Sequence, residues 1–257
     1  MNDYVFTSNT VDRELARLQM IEAALDPSTI NALEQTGIQT GWRCLEIGPG
    51  AGSIMRWMGS RVGPQGKVVG VDKSIRYLED FVEPQYELVE GDVSQLELTQ
   101  TFDLIHCRYV LIHNRDTENI LKTLKSLLAP GGFIVIEEPD FTSAKFLNET
   151  ANACIQRVNS AICCMFSNLE LNAGYGLTLP TRVEAQGFSV NHASSTLHFA
   201  PGDSPIARMM GESTRVLREE YIATGEADET DIEGYIDQAY DSDHWSVYYS
   251  TVSVIAS

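Results

Sequence analysis

Leu45-Glu46-Ile47-Gly48-Pro49-Gly50-Ala51-Gly52-Ser53 is the stretch from which the rest of the chain can be ordered. An apolar, β-prone run enters three glycines at alternate positions, and a helical pattern begins at once with Ser53-Ile54-Met55-Arg56-Trp57. Glycine lets the backbone turn tightly and approach a ligand, and the start of a helix offers unbonded N–H groups. The spacing is G-x-G-x-G. A dinucleotide loop has G-x-G-x-x-G/A and wants Gly or Ala where Ser53 stands, so a nicotinamide-dependent oxidoreductase is the weaker reading.

Working outward, short β-rich runs alternate with helical patterns from Trp42 to Phe141. The runs are Arg43–Ile47, Lys67–Val71, Tyr86–Val89, Phe102–Cys107 and Phe133–Glu137; the helices between them are expected over Ser53–Arg61, Ser74–Phe81 and Asp116–Leu128. Such alternation signals a parallel sheet covered on both faces, with its ligand at the carboxyl ends of the strands. Upstream, apolar spacing predicts a helix from Val11 to about Glu34, interrupted at Asp26-Pro27. Downstream, Asn148–Leu171 and Leu179–Gln186 read as helices, and Phe188–Phe199 and Trp245–Ala256 as two further strands. Between these, Ser204 to Asp243 reads as two acidic helices split near Gly225.

The expected fold is α/β, doubly wound and Rossmann-like, with a mostly parallel seven-stranded sheet and an antiparallel last strand. One domain is expected over residues 1–257. Its parts are an N-terminal helical arm (1–40), a core (41–141), a helical segment lining the substrate side (142–187) and an acidic helical cap (203–243).

Composition narrows the function. In 257 residues, Lys and Arg number 18 against 36 Asp and Glu, a formal net charge of -18. Nucleic-acid backbones and anionic membranes are gripped with Lys and Arg, so neither is an expected partner. The five cysteines lack a C-x-x-C spacing, which argues against a zinc ribbon or a disulfide framework. No H-x-H, D-x-D or H-x-x-x-H cluster suggests a metal. The opening MNDYVFTSN has no basic start followed by an apolar stretch, and no apolar run approaches the roughly 18–20 residues that span a bilayer. A cytoplasmic location is expected, and either a monomer or a homodimer.

The second strand ends in Asp72, about 20 residues past the glycines, where a carboxylate accepts both hydroxyls of an adenosine ribose. Glu90-Gly91-Asp92-Val93 closes the third strand with an acid and a backbone N–H suited to an adenine edge. Asp72 and Asp92 each also suit a helix N-cap. Glu46 fits a phosphate binder poorly and an ammonium group well.

In this order and spacing, LEIGPGAGS, VVGVDKS, EGDVS, FDLIHCRYVLIH and LLAPGGFIVIEEPDF resemble the successive motifs of the class I S-adenosylmethionine-dependent methyltransferases. The resemblance is strongest over residues 40–141, and the flanks are similar to the small-molecule branch of that family. It implies that Gly48, Pro49 and Gly50 lie against the methionine part of S-adenosylmethionine, with Glu46 near its ammonium end. Asp72 would hold the ribose, Lys73 the adenine face, and Asp92 and Val93 the adenine. The carbonyl of Cys107, and Arg108, would line the methionine side close to the reacting methyl.

Methyl transfer from a sulfonium is an in-line substitution, so alignment and exclusion of water matter most. A hydroxyl or protonated amine acceptor also needs a base. His113, after the fourth strand, is one candidate, with packing or hydrogen bonding as its other role. Glu137, Glu138 and Asp140 follow the fifth strand, and Asp140 is preferred because Glu137 continues an apolar run. His192, His198 and His244 read as structural. The cap is either a solvated acidic face or an attraction for a cationic substrate. The expected function is transfer of a methyl group to an O, N or C atom of a small molecule, a specialised metabolite, yielding S-adenosylhomocysteine without a metal. The alternative from a different class is a binding or regulatory protein that keeps the cofactor pocket.

Overall fold

The computed structural model describes residues 11–147 and 152–257. Its seven strands are β1 (Arg43–Ile47), β2 (Lys67–Asp72), β3 (Tyr86–Glu90), β4 (Phe102–Arg108), β5 (Leu128–Asp140), β6 (Val190–Pro201) and β7 (Trp245–Ala256). They form one sheet in the order β3-β2-β1-β4-β5-β7-β6. β1 pairs in parallel with both β2 and β4, β2 with β3, and β4 with β5. The sheet is thus mostly parallel with an antiparallel last strand, as the alternation of runs predicts. Ser189 and Ser257 exchange both backbone bonds, at 2.8 and 3.0 Å, which is the signature of antiparallel pairing. The order reverses at β1, whose register sets Ile47 beside Val71 on one side and Cys107 on the other. A reversal of this kind opens a crevice at the strand ends.

The helices are α1 (Val11–Glu34), α2 (Ser53–Val62), α3 (Thr117–Leu127), α4 (Thr142–Leu147), α5 (Ala153–Asn168), α6 (Tyr175–Ala185), α7 (Pro205–Val216), α8 (Arg218–Ala223) and α9 (Glu229–Ala239). By its internal contacts the chain divides into two compact units. One comprises Leu25–Glu138, Thr178–Ser194 and Ser253–Ser257; the other comprises the described parts of Met1–Ala24, Pro139–Leu177 and Ser195–Val252. These units do not follow the linear division into arm, core, helical segment and cap, since α1, β6 and β7 each contribute to both.

In the first unit, α2 lays Ile54, Met55, Met58 and Val62 against Cys44 of β1 and Val68 of β2, all buried. Burying an aliphatic side chain of this size contributes about 1.5–3 kcal/mol. The central strands are buried almost end to end, as parallel strands covered on both faces must be.

Several boundaries differ from expectation. No helix forms over Ser74–Phe81. Two consecutive turns occupy it, closed by Leu78 N to Ile75 O (2.9 Å) and Phe81 N to Leu78 O (3.0 Å). Asp72 takes the Ser74 N–H at 3.1 Å, and Leu78 and Phe81 insert against Gly52, so side-chain and tertiary contacts override a spacing that also fits turns. Conversely, α1 runs through Pro27 without a break. The Ser28 hydroxyl takes the Leu25 carbonyl at 2.8 Å, and the flanking Leu25 and Thr29 are buried. β5 begins five residues before Phe133, across an irregular register with β4. The acidic segment folds as three helices, two of them before Gly225. The stretch from Asn148 resolves as α5 from Ala153; residues 148–151 of that expectation lie outside the described ones.

Gly48, Gly50 and Gly52 all have positive φ (68°, 60° and 91°). Gly52 is also closely surrounded: a Cβ there would lie 2.6 Å from the Phe81 ring and 2.8 Å from Leu78. Gly52→Ala is therefore expected to lose about 2–4 kcal/mol, the left-handed penalty plus an overpacking term. A urea-unfolding midpoint equal to that of the wild type would refute this account of the turn.

Candidate cofactor site

The glycine loop is tied to the neighbouring strand at two points. Gly48 N–H donates to Val71 O at 2.8 Å, and Gly50 N–H donates to Asp72 Oδ2 at 3.3 Å. A Cβ on Gly48 would come within 2.5 Å of Val110, so the loop backbone and the segment after β4 approach as closely as atoms allow. Burial raises the Asp72 carboxyl above the ordinary carboxylate value, against the N–H groups of Ser74, Gly50 and Lys73 and the Lys73 charge. Gly91 N–H meets the Asp72 carbonyl at 2.8 Å, which brings the next strand end alongside. There Asp92 Oδ1 accepts from Ser94 N and Oγ (2.9 and 2.8 Å), capping a short 3-10 turn that starts at the buried Val93. Lys73 Nζ reaches Asp92 Oδ2 at 3.1 Å. Partial burial opposes ionisation of Asp92, but the Ser94 hydrogen bonds and Lys73 outweigh it and hold its carboxyl low. Gly48, Pro49, Gly50, Asp72, Lys73, Asp92 and Val93 thus stand along the carboxyl ends of β1, β2 and β3, where the motifs place them.

Beneath this rim lies a feature that sequence reading missed. His106, at the centre of β4 and 0% exposed, has Nδ1 2.9 Å from Glu46 Oε2 and Nε2 3.4 Å from Glu137 Oε2. Glu137 Oε2 also accepts from Thr29 Oγ1 at 2.5 Å; Arg108 Nη1 donates to Thr29 Oγ1 at 2.8 Å and to Asp26 Oδ1 at 3.0 Å. The chain Glu46–His106–Glu137–Thr29–Arg108–Asp26 links β1, β4 and β5 to the second half of α1. Burial alone lowers a histidine, but the Glu46 charge and the hydrogen bonds to Glu137 and Glu46 overcome it and raise His106 to about 9. It is an imidazolium at neutral pH, donating from both ring nitrogens. His106 in turn helps keep Glu137 below the ordinary value despite its burial. Three ionisable residues in otherwise apolar, doubly covered strands were the signal available in the sequence, because buried charges have to pair.

Other residues take defined places. Glu46 has its carboxylate engaged by His106, and Arg108 is held by α1. Cys107 is fully buried, and its thiol is raised well above the ordinary value by that burial and by the Glu138 charge. Glu138, one of the three acids the sequence offers after β5, accepts from the backbone N–H groups of Val110 (3.1 Å), Leu111 (2.7 Å) and Ile112 (3.1 Å). Burial pushes it up to about 8 against those three donors. It thereby fixes the 3-10 turn that ends at His113, whose own N–H meets Val110 O at 3.1 Å. Tyr109, between β4 and that turn, has φ 57°, a left-handed conformation rare for an aromatic residue and typical of functional rims. Asp140 lies in the other unit. Its Oδ1 accepts from Thr142 N at 2.9 Å and from the Thr142 hydroxyl, and its Oδ2 accepts from Ser143 N (3.3 Å) and Ser250 Oγ (3.2 Å). That is a capping arrangement at the start of α4. Among the described residues, no group of three or more His, Cys, Asp or Glu is placed to hold a metal ion, and no helix is long and apolar enough to cross a membrane.

A glycine loop at a topological switch point, with an acid at the end of the next strand, is the arrangement of the Rossmann-like class of folds. The chain belongs to the Methyltransferase domain family, which it matches over residues 12–175. It is 28% identical over 131 residues to the ubiquinone/menaquinone biosynthesis C-methyltransferase UbiE of Pseudomonas savastanoi pv. phaseolicola, covering 48% of this chain and 51% of that protein. It is also 28% identical over 194 residues to methyltransferase str2 of Strobilurus tenacellus, covering 71% of this chain and 65% of that one. The chain spans about half the length of the first of these relatives. Among solved structures, mycolic acid cyclopropane synthase CmaA1 complexed with SAH and CTAB aligns with a TM-score of 0.61 at 14% identity, over 91% of this chain and 84% of that one. The [4+2]-cyclase SpnF aligns at 0.58 and 15% identity, over 91% and 80%. At these identities the likeness is one of fold.

The His106 pairing carries a pH signature. A histidine raised from 6.5 to about 9 stabilises the fold fully below pH 6.5 and loses that contribution as pH rises through 9. Glu138, raised from 4.5 to about 8, and the buried thiols and phenols, raised above their ordinary values, add declines of their own, so His106 is read from the difference between wild type and variant at each pH. His106→Gln is expected to be less stable at pH 7 by about 3–5 kcal/mol, the cost of orphaning a buried carboxylate. It should also show a flatter fall in urea midpoint between pH 8 and 10. A variant with the wild-type slope there would rule out the imidazolium.

Proposed function

We propose that the chain binds S-adenosylmethionine along the ends of β1 to β4 and transfers its methyl group to an O, N or C atom of a small molecule. The observation that supports this most directly is the left-handed glycine loop bonded at Gly50 to Asp72, in a chain of the Methyltransferase domain family. The residues present suit the cofactor. At Gly48 and Gly50 bare backbone stands where a side chain would obstruct it, and Pro49 stiffens the turn between them. Asp72 retains a carboxylate's further lone pairs beyond its bonds to backbone N–H groups, as gripping a ribose diol requires. Lys73, Asp92 and the apolar Val93 offer charge, acceptor and surface to an adenine. Glu46, anchored by His106, supplies the negative charge that an α-ammonium group calls for. The carbonyl of Cys107 and the Arg108 segment, held by α1, complete the methionine side.

When bound, S-adenosylmethionine supplies an electrophilic methyl on a sulfonium; as the acceptor–carbon bond forms, the sulfur keeps the electron pair of the bond that breaks and leaves as S-adenosylhomocysteine. The chain's part is to orient and to exclude water. Of the two base candidates we keep His113, which takes the proton of a hydroxyl acceptor. Asp140 is assigned a positioning role, because acting as a base would dismantle its cap. The UbiE relative is named for C-methylation in quinone biosynthesis, and a small-molecule acceptor accords with that name.

Calorimetry with S-adenosylhomocysteine tests the cofactor. Asp72→Asn should weaken binding about 10- to 100-fold, the loss of one or two charge-assisted hydrogen bonds, while NADH gives no heat. Binding of NADH, or undiminished affinity in a folded Asp72→Asn protein, would sink the reading.

A further inference from the structure

β6 is the outermost strand on its side of the sheet, beyond β7, and at 12 residues it is about twice the usual length of a strand. An edge strand presents a row of unpaired N–H and C=O groups, and natural proteins guard such edges with Lys, inward charges, proline, bulges or a covering element. β6 lacks the charged guards. It carries no Lys, Arg, Asp or Glu, although 21% of the chain is charged, and its one proline, Pro201, is its last residue. From Asn191 to Leu197 every residue is exposed, so among the described residues no helix lies over that stretch.

The part of β6 from Ser195 to Pro201 belongs to the same compact unit as Trp245–Val252 of β7. There the edge is apolar. Leu197 is 46% exposed and Phe199 56%, and the two share a face because side chains alternate along a strand. The Phe199 ring meets that of Trp245, 55% exposed, at 5.2 Å. His198, between Leu197 and Phe199, is tied to β7: its Nε2 lies 2.7 Å from Thr251 Oγ1, and its ring meets Tyr249 at 4.7 Å. β6 is thus anchored on its inner side while Leu197, Phe199 and Trp245 face water. Single apolar residues on a surface are ordinary, but a ring pair and a leucine along a free row of backbone groups mark an interface.

Charge selects what fits this edge. The formal net charge is -18, so a second copy is repelled wherever acids meet acids. A cationic partner finds no counter-charge on β6 and is drawn to the acidic helices instead. The uncharged strand is where two copies meet without opposing like charges. Self-pairing also suits the geometry, because a strand laid antiparallel on its own copy about a two-fold axis satisfies the same groups on both, and the assembly closes at two. Centred on His198, that pairing sets Leu197 opposite the partner's Phe199, an aliphatic–aromatic cross-strand pair made twice.

We propose that this edge is a dimer interface: Ser195–Pro201 pairs antiparallel with the same segment of a second copy of the chain, burying Leu197, Phe199 and Trp245. The interface is independent of the methyltransferase reading.

Sedimentation under reducing conditions compares wild type, Leu197→Lys, Phe199→Lys and Val82→Lys. The last adds the same charge at a residue 82% exposed between β2 and β3. The wild type should be a dimer at about 20 µM, within reach of an interface of ordinary size. Leu197→Lys and Phe199→Lys should each weaken association about 10- to 100-fold, since each substitution enters the interface twice, while Val82→Lys does not weaken it. Raising NaCl from about 0.05 to 0.5 M should tighten the wild-type dimer, because salt screens the repulsion of two acidic copies and the strands hold no ion pair to weaken. Amide hydrogen exchange over Thr196–Ala200 should slow as the wild-type concentration rises. A wild type that is monomeric at that concentration, a dimer that survives both β6 substitutions or that salt loosens, or exchange over Thr196–Ala200 that ignores concentration would each overturn the interface.

Discussion

A protonated histidine held between two carboxylates, in the driest part of the sheet, is the constraint around which the site is arranged. Glu46, His106 and Glu137 sit on three adjacent strands, β1, β4 and β5. Burying three charges is costly, and such clusters persist only when each charge has a partner and the remaining lone pairs are bonded. Here Thr29 takes a Glu137 lone pair, and Arg108 and Asp26 extend the chain to the surface of the unit. The residues on either side of the cluster are thereby fixed. Glu46 immediately precedes the glycine turn, and His106 stands two positions before the strand end where Arg108 meets α1. A purely apolar trio would pack with less penalty, but it would place no charge beneath the loop.

The rim above depends on a different economy. Backbone, not side chain, does most of the holding: Gly48 and Gly50 donate N–H groups to the β2 end, Gly91 donates to the Asp72 carbonyl, and three successive amides after β4 converge on Glu138. A carboxylate in the role of Glu138 does what a helix cap does, without a helix long enough to have one. Tyr109 enters that turn in a left-handed conformation, and its N–H meets the Glu137 carbonyl at 2.9 Å. The two adjacent glutamates therefore have opposite tasks. Glu137 faces the histidine and stays ionised; Glu138 faces amides and is pushed towards neutrality by its burial.

Much of this was legible in the sequence because it is periodic or punctuated. The glycine spacing, Asp72 at the end of β2 and the short branched runs fall where one-dimensional reading puts them. Trp245–Ala256 matches β7 end to end. The misses share one cause, long-range contact. Ile75, Leu78 and Phe81 recur every three residues, which fits a helix equally well, and only the space against Gly52 selects turns. Pro27 looks like a break, and only the packing on both sides keeps α1 continuous. Asp140 looks like a free acid until Thr142, Ser143 and Ser250 are seen around it. His106 is invisible as a charge from FDLIHCR alone, since its protonation is set by Glu46, 60 residues earlier, and Glu137, 31 residues later.

The buried histidine and Glu138 together alter the electrical identity of the folded chain. The formal charge of -18 counts every histidine as neutral and every carboxyl as ionised. At pH 7 the native fold binds a proton at His106 and retains one at Glu138. Folding thus draws protons from the solvent, and the native protein is about two charges less negative than its unfolded chain. The two forms migrate differently in an electric field for a reason unrelated to their size. Any step that opens the strand ends enough to wet these groups releases acid into the medium.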